Sequence, residues 1–257
     1  MSGGKADKAC VAVLEFYPDQ KKIFLAQLIE KIKAEEFISA DLKIHEIISR
    51  YANEAELVAF DVPLSLPKCT LCKIKCPGYE VCNEPEIKFI RSLYQQEVNK
   101  KKPKKMYTPY TQRAVEAYLA TQDPQMDVHH ALGSNLAPLT ARGLFLSRRM
   151  TIPTTEVFVK LSVQILGQQL KVNKSRLKIY RNSVGGEEAR EIFLNTMTEK
   201  WQIFFYRQDL KTMVENFHAF EAFIAAYIAY LSAVGMTQKR PEGLPASESW
   251  ISIPKGE

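Results

Sequence analysis

The run Glu56-Leu57-Val58-Ala59-Phe60-Asp61-Val62-Pro63-Leu64-Ser65-Leu66-Pro67-Lys68-Cys69 decides how the rest of the chain is read. An apolar stretch of about five residues bounded by breakers suits a fully buried strand, most simply a parallel one, better than a helix. Asp61 then stands at the strand's carboxyl end, outside which open α/β sheets bind their ligands. The same position equally suits a cap on the loop that Pro63 begins.

Working outward, residues 10–16 and 22–28 flank the turn Pro18-Asp19-Gln20-Lys21 and predict an antiparallel hairpin. Residues 29–37 alternate weakly and leave room for a third strand. Ser39 predicts the N-cap of a helix whose Ile44, Ile47, Ile48 and Tyr51 share one face. The order β-β-(β)-α-β places the Asp61 strand parallel to the first through a right-handed crossover. Farther on, a short helix is expected near 86–97, another from Thr108-Pro109 to about Ala120, and a third from Pro138 to before Pro153. Residues 154–159 form the next buried strand. A helix over 161–166 ends at Gly167 as its cap. Gly185-Gly186 opens a helix with Ala189, Ile192, Phe193 and Thr196 on one face. Residues 216–235 make an apolar helix buried against a sheet, with Gly235 just past its end.

A chain of 257 residues, 46% hydrophobic, predicts one main domain over residues 1–257. Residues 67–106 read as an insertion, because core-like periodicity gives way there to prolines, cysteines and lysines. The formal net charge of +6 allows a polyanionic partner. Part of it is the basic run Lys100, Lys101, Lys102, Lys104 and Lys105, suited to neutralising nucleic-acid phosphates without reading sequence. The polar, charged residues 2–8 resemble no export signal, so a cytoplasmic location is expected. Residues 219–234 fall short of the ~20 apolar positions a bilayer needs and contain Glu221, so no membrane partner is expected.

Cys69, Cys72, Cys76 and Cys82 make the pattern C-x2-C-x3-C-x5-C within one short segment. Four thiolates that fold back on one another through turn residues such as Pro77-Gly78 suit a structural Zn²⁺. An iron–sulfur cluster, disulfides or free thiols are the alternatives.

Glu15, Asp61, Glu156 and Glu221 are single carboxylates on otherwise apolar elements. Burial of an unpaired carboxylate is costly, so each needs a cation, an arginine or water. Taken together they predict convergence on one divalent ion, Mg²⁺ or Mn²⁺, in a site for phosphodiester hydrolysis. Arg113 with Glu116 reads as a helix-surface ion pair and Arg142 as a salt bridge, and both are candidate phosphate contacts. His129-His130 suits a loop or cap.

Phe60-Asp61-Val62-Pro63-Leu64-Ser65-Leu66-Pro67 resembles the D-A-P-L-S-L-P signature of the domain-of-unknown-function 429 proteins, predicted nucleases with an RNase H fold. In the same order, Arg113 to Glu116 resembles the family's R-x-x-E helix start, and Glu156-Val157-Phe158 its E-V-Y strand. His218-Ala219-Phe220-Glu221-Ala222-Phe223-Ile224-Ala225-Ala226 resembles its H-D-A-x-x-A-A helix, and Glu248-Ser249-Trp250-Ile251-Ser252-Ile253-Pro254 its E-G-W-I-x-x-P tail. The resemblance implies an RNase H-like sheet whose acids hold metal ions.

The expectation is therefore an α/β protein with an RNase H-like mixed sheet flanked by helices and a cysteine-rich, zinc-binding insertion. Its function would be metal-dependent cleavage of nucleic acid, with Asp61, Glu156 and Glu221 as metal ligands and Glu15 as a fourth acid. The alternative is a catalytically inactive, zinc-stapled module that binds nucleic acid or protein. No glycine-rich phosphate loop supports a phosphotransferase.

Overall fold

The computed structural model describes residues 9–98, 108–122, 128, 130–133 and 135–256. In chain order the elements are β1 (Ala9–Tyr17), β2 (Lys22–Ile32), α1 (Ala40–Ser49), β3 (Val58–Phe60), α2 (Lys68–Leu71), α3 (Pro85–Val98), α4 (Ala114–Gln122) and α5 (Ala137–Arg149). They continue with β4 (Thr154–Val157), α6 (Val159–Gln169), α7 (Lys174–Ile179), α8 (Gly186–Trp201), β5 (Ile203–Phe204), α9 (Arg207–Glu215), α10 (Phe217–Ala233) and β6 (Ile251–Ser252). This is the α/β class expected from the sequence. Where the sequence suggests one domain with an insertion at 67–106, the described residues group into two compact units. The first draws on Met1–Asp61, Arg149–Gln238 and Ser252–Glu257, and the second on Val62–Arg148 and Lys239–Ile251.

In the first unit, β1 and β2 form the expected antiparallel hairpin, and β5 joins β2 in parallel to complete one sheet in the order β1-β2-β5. Lys21 takes the left-handed conformation that closes the turn. Residues 29–32 extend β2 instead of starting a third strand. Lys31 is left-handed (φ 56°), and beyond it only an isolated bridge joins Glu35 to Ile38. A second sheet has the order β3-β4-β6. β3 pairs in parallel with β4, not with β1. β3 is only three residues long, and Asp61 and Pro63 follow it too closely for the ladder to continue.

α10 holds this unit together, packing on β1, β2, β3 and β4. Its Phe220, Phe223, Ile224 and Ile228 are fully buried among Val157, Val163, Leu166, Phe193 and Ile203. Each such side chain contributes roughly 1.5–3 kcal/mol of burial, which outweighs the weak helix propensity of the aromatic and β-branched residues among them. Asn216 caps the helix by accepting from the His218 N–H. Among the described residues no helix is long and apolar enough to cross a membrane.

In the second unit, α4 begins at Ala114 and not at Thr108. Residues 108–112 form a turn instead, with the Thr111 and Gln112 N–H groups donating to the Thr108 carbonyl. Gly143 lies against Val62, whose Cγ2 would stand 2.4 Å from an added Cβ.

Gly167 does not cap α6. It lies inside the helix, where an added Cβ would come within 2.4 and 2.6 Å of the two methyl carbons of buried Leu177. The glycine is there for a close helix-to-helix approach to α7. Gly167→Ala should therefore destabilise the protein by about 1–3 kcal/mol despite alanine's better helix propensity, as measured by chemical denaturation.

Candidate functional site

Asp61 directly follows β3, and its position is fixed by what it does for α6. Val159 opens α6, and the N-cap residue Phe158 has no side-chain acceptor to offer. Asp61 supplies one: the Val159 N–H donates to its Oδ1 at 3.0 Å. A carboxylate at this point also suits the positive end of the helix dipole.

Facing it is Glu221, in the second turn of α10 and 9% exposed. Glu221 Oε1 accepts two hydrogen bonds, from the Tyr180 hydroxyl at 2.8 Å and from Arg181 Nε at 2.5 Å. The Arg181 guanidinium lies 5.5 Å from the Tyr180 ring centre. These two residues follow α7 and are held from behind by Arg190 of α8. Its guanidinium donates to the Tyr180 carbonyl and, at 2.8 Å, to the Val214 carbonyl. Gly186 leaves room for that clamp, since an added Cβ would meet the Tyr180 carbonyl oxygen at 3.1 Å and Arg190 Nη1 at 3.0 Å.

The electrostatics follow from this crowding. Asp61 keeps a little accessible surface, but burial, followed by the Glu221 charge, pushes its carboxyl up to about 7. The Val159 N–H and Arg181 pull the other way. Burial and then Glu221 hold the Tyr180 hydroxyl far above its ordinary range. For Arg181, burial works against the charge, yet Glu221, Tyr180 and Asp61 outweigh it and leave the guanidinium more firmly protonated than usual. Two carboxyls thus lie in the field of one guanidinium, which is hydrogen-bonded to Glu221. Near neutral pH the deficit leaves Asp61 divided between its protonated and ionised forms, ready to exchange a proton or to accept a second cation.

The four predicted acids do not all meet here. Glu156 is buried and pairs in register with Phe60, but Ala59 and Val157 belong to the core beneath α10. Strand alternation therefore turns Glu156 to the opposite face. Glu15 is turned to the outer face of the β1–β2 hairpin by strand alternation, between the inward-facing Leu14 and Phe16; it is exposed and accepts a hydrogen bond from the Tyr17 hydroxyl. Of the four acids expected around one ion, Asp61 and Glu221 lie near each other, whereas Glu156 and Glu15 lie elsewhere. Among the described residues no three His, Cys, Asp or Glu side chains are grouped to hold a metal ion.

Cys69, Cys72, Cys76 and Cys82 are all free thiols, Cys82 buried and Cys76 exposed. They share one neighbourhood nonetheless. Burial and then the charges of Cys82, Cys76 and Cys72 raise the Cys69 thiol. The lysine run from Lys100 to Lys105 and His129 lie outside the described residues. Arg142 is half-buried on α5.

Arg113 and Glu116 are not a surface pair, because they are 1% and 0% exposed. Arg113 Nε donates to Glu116 Oε1 at 2.6 Å and its Nη1 to Ser65 Oγ at 3.0 Å, so the guanidinium is turned inward and not toward a phosphate. Glu116 also accepts the N–H groups of Arg113 and Ala131 and lies 3.5 Å from His130 Nδ1. Burial would raise its carboxyl, but Arg113 and these hydrogen bonds hold it below the usual carboxylate range. Glu248 accepts the Ala114 and Val115 N–H groups at 2.9 and 3.0 Å. Two buried carboxylates thus satisfy the start of α4, which is why that helix begins at Ala114.

Tyr180 and Arg181 had no signal in the local pattern, because they are neighbours in a loop. Glu116 could have been found from its spacing, three residues after an N-cap position. No protein-family model, curated protein or solved structure matches the chain.

Two outcomes follow. The folded state favours protonated Asp61, so its contribution to stability is complete below about pH 4 and is lost as the pH rises through about 7. Asp61→Asn, which can still accept from Val159, should match wild type near pH 4 and melt at a higher temperature at pH 8 in chelator-containing buffer. Glu248→Ala leaves two buried N–H donors unsatisfied and should cost about 2–4 kcal/mol in urea denaturation, more than a surface cap would.

Proposed function

We propose that the chain is a divalent-metal-dependent nuclease whose chemistry is centred on Asp61 and Glu221. The observation that carries this reading is a Glu221 carboxylate hydrogen-bonded to Tyr180 and Arg181, close enough to Asp61 for its charge to raise the Asp61 carboxyl. The donor set suits Mg²⁺ or Mn²⁺, which take one or two protein carboxylates and complete their shells with water and substrate phosphate. The wider set with Glu156 and Glu15 does not fit. When bound, such an ion polarises a phosphoryl oxygen and makes water a better nucleophile. The chain's own residues have separate tasks: the α6 N-terminus orients Asp61, Tyr180 and Arg181 orient Glu221, and Asp61 and Glu221 would be the residues to hold such an ion. The resemblance to the domain-of-unknown-function 429 proteins supports the same reading, including an RNase H-like arrangement of the hairpin, the β3–β4 pair and α10.

In this proposal Cys69, Cys72, Cys76 and Cys82 would hold a structural Zn²⁺, because a metal would stabilise as thiolates four thiols that share one neighbourhood and would close a segment otherwise poor in apolar contacts. Nucleic acid is the substrate class. The Arg181–Glu221 ion pair favours one rival, an inactive binding module in which Arg181 permanently takes the place of a metal.

Calorimetric titration with Mn²⁺ at pH 8 separates the two. The nuclease reading expects binding that Asp61→Asn and Glu221→Gln each weaken by at least about 100-fold, with metal-dependent cleavage of labelled DNA or RNA lost in step. Absence of Mn²⁺ binding to the wild type would leave only the module. Native mass spectrometry should find one zinc per chain, lost in Cys82→Ser.

A further inference from the structure

The outer face of the β1-β2-β5 sheet carries a line of four aromatic rings. Tyr17 on β1 meets Phe24 on β2 at 5.2 Å between ring centres, Phe24 meets Phe204 on β5 at 5.4 Å, and Phe204 meets Tyr206 at 5.2 Å. Strand alternation produces it. Ile23 and Leu25 point into the core on either side of Phe24, and Phe205 packs on Phe223 between the outward Phe204 and Tyr206. Phe204 is paired in register with Phe24, so the rings cross the strands instead of following one of them. Tyr17, Phe204 and Tyr206 are 44%, 44% and 57% exposed.

Cross-strand ring pairs stabilise a sheet, and these neighbours stand edge to face or tilted (83°, 48° and 84°), so the line is stepped and not flat, with Tyr17, Phe204 and Tyr206 still accessible. Cations stand at both ends of the line: Lys21 and Lys22 beside Tyr17, and Arg207 after Tyr206. All three are exposed, and among the described residues none is in an ion pair. The acids in the same segments are Glu15, Asp19 and, in the first turn of α9, Asp209. Glu15 is opposite Phe24 and holds the Tyr17 hydroxyl at 2.7 Å, which pins that ring and leaves a carboxylate able to accept from a base amino group.

We propose that this face is a base-stacking platform for single-stranded nucleic acid. About two or three bases lie on the rings, and the backbone phosphates lie toward Lys21, Lys22 and Arg207. Exposed rings on neighbouring strands accept any base, because every base has a π-face. The flanking cations make the binding salt-dependent. The proposal rests on the nuclease reading for its substrate class and adds the strandedness and the place where the strand is held.

The test is fluorescence anisotropy of a labelled oligothymidylate in buffer without added Mg²⁺ or Mn²⁺ and without chelator, so that no metal-dependent cleavage is driven and any structural zinc is kept. Wild type should bind it, bind a duplex of equal length less well, and lose affinity as salt is raised. Tyr206→Ala and Phe204→Ala should each weaken binding about tenfold or more, while Tyr206→Phe retains it, with circular dichroism unchanged throughout. Tyr206 is the safer of the two sites, since its side chain makes no cap hydrogen bond to α9. Asp61→Asn should bind normally, so failed catalysis and failed platform binding are separable. Unchanged affinity in both alanine variants overturns the proposal. So does a wild type that ignores the oligonucleotide and instead self-associates through a contact that Tyr206→Ala abolishes.

Discussion

The first unit depends on a charge imbalance that it does not relieve internally. Asp61 is held in place by the N-terminus of α6 and Glu221 by the packing of α10, so neither can withdraw from the other. Arg181 satisfies Glu221, and Asp61 is left to adjust by holding its proton. A buried pair of this kind costs stability, and replacing it with neutral groups would be the simpler way to a tighter core. The surroundings reinforce the arrangement instead: Arg190 clamps the Tyr180 carbonyl, and Gly186 leaves space for that clamp. An expensive electrostatic feature supported in this way is where chemistry is most reasonably sought.

The second unit has a contrasting polar centre. Arg113, Glu116, Ser65 and Glu248 satisfy one another and the start of α4, and Glu116 is correspondingly held in its ionised form. Ser65, the Arg113–Glu116 pair and Glu248 come from three segments far apart in the sequence, and their hydrogen bonds tie those segments together around the start of α4. A fully satisfied buried network specifies a fold, whereas one with a charge in excess can do work on a ligand.

Much of the architecture was legible in the sequence because it rests on local periodicity and on strong chain breakers. The β1–β2 hairpin, the capped α1, the β3 and β4 strands and the apolar α10 all announce themselves by spacing and by residues such as Ser39, Asn216 and Gly235. The isolation of Asp61 and Glu221 among apolar neighbours was equally visible. It correctly marked them as acids needing a partner.

What the partner is, and which acids share it, belongs to the tertiary structure alone. Glu156 follows the same sequence logic as Asp61, yet the two-residue period of β4 turns it to the other face, and the same period on β1 turns Glu15 to the outer side of its sheet. Tyr180 and Arg181 become part of the site only because α7 and α8 bring a loop against α10, some 40 residues away along the chain. The sequence by itself determined which groups would be costly to bury. The packing of α10 against β3 and β4 decided which of them face each other, because a carboxylate's neighbours across space depend on register and on helix position, neither of which local pattern encodes.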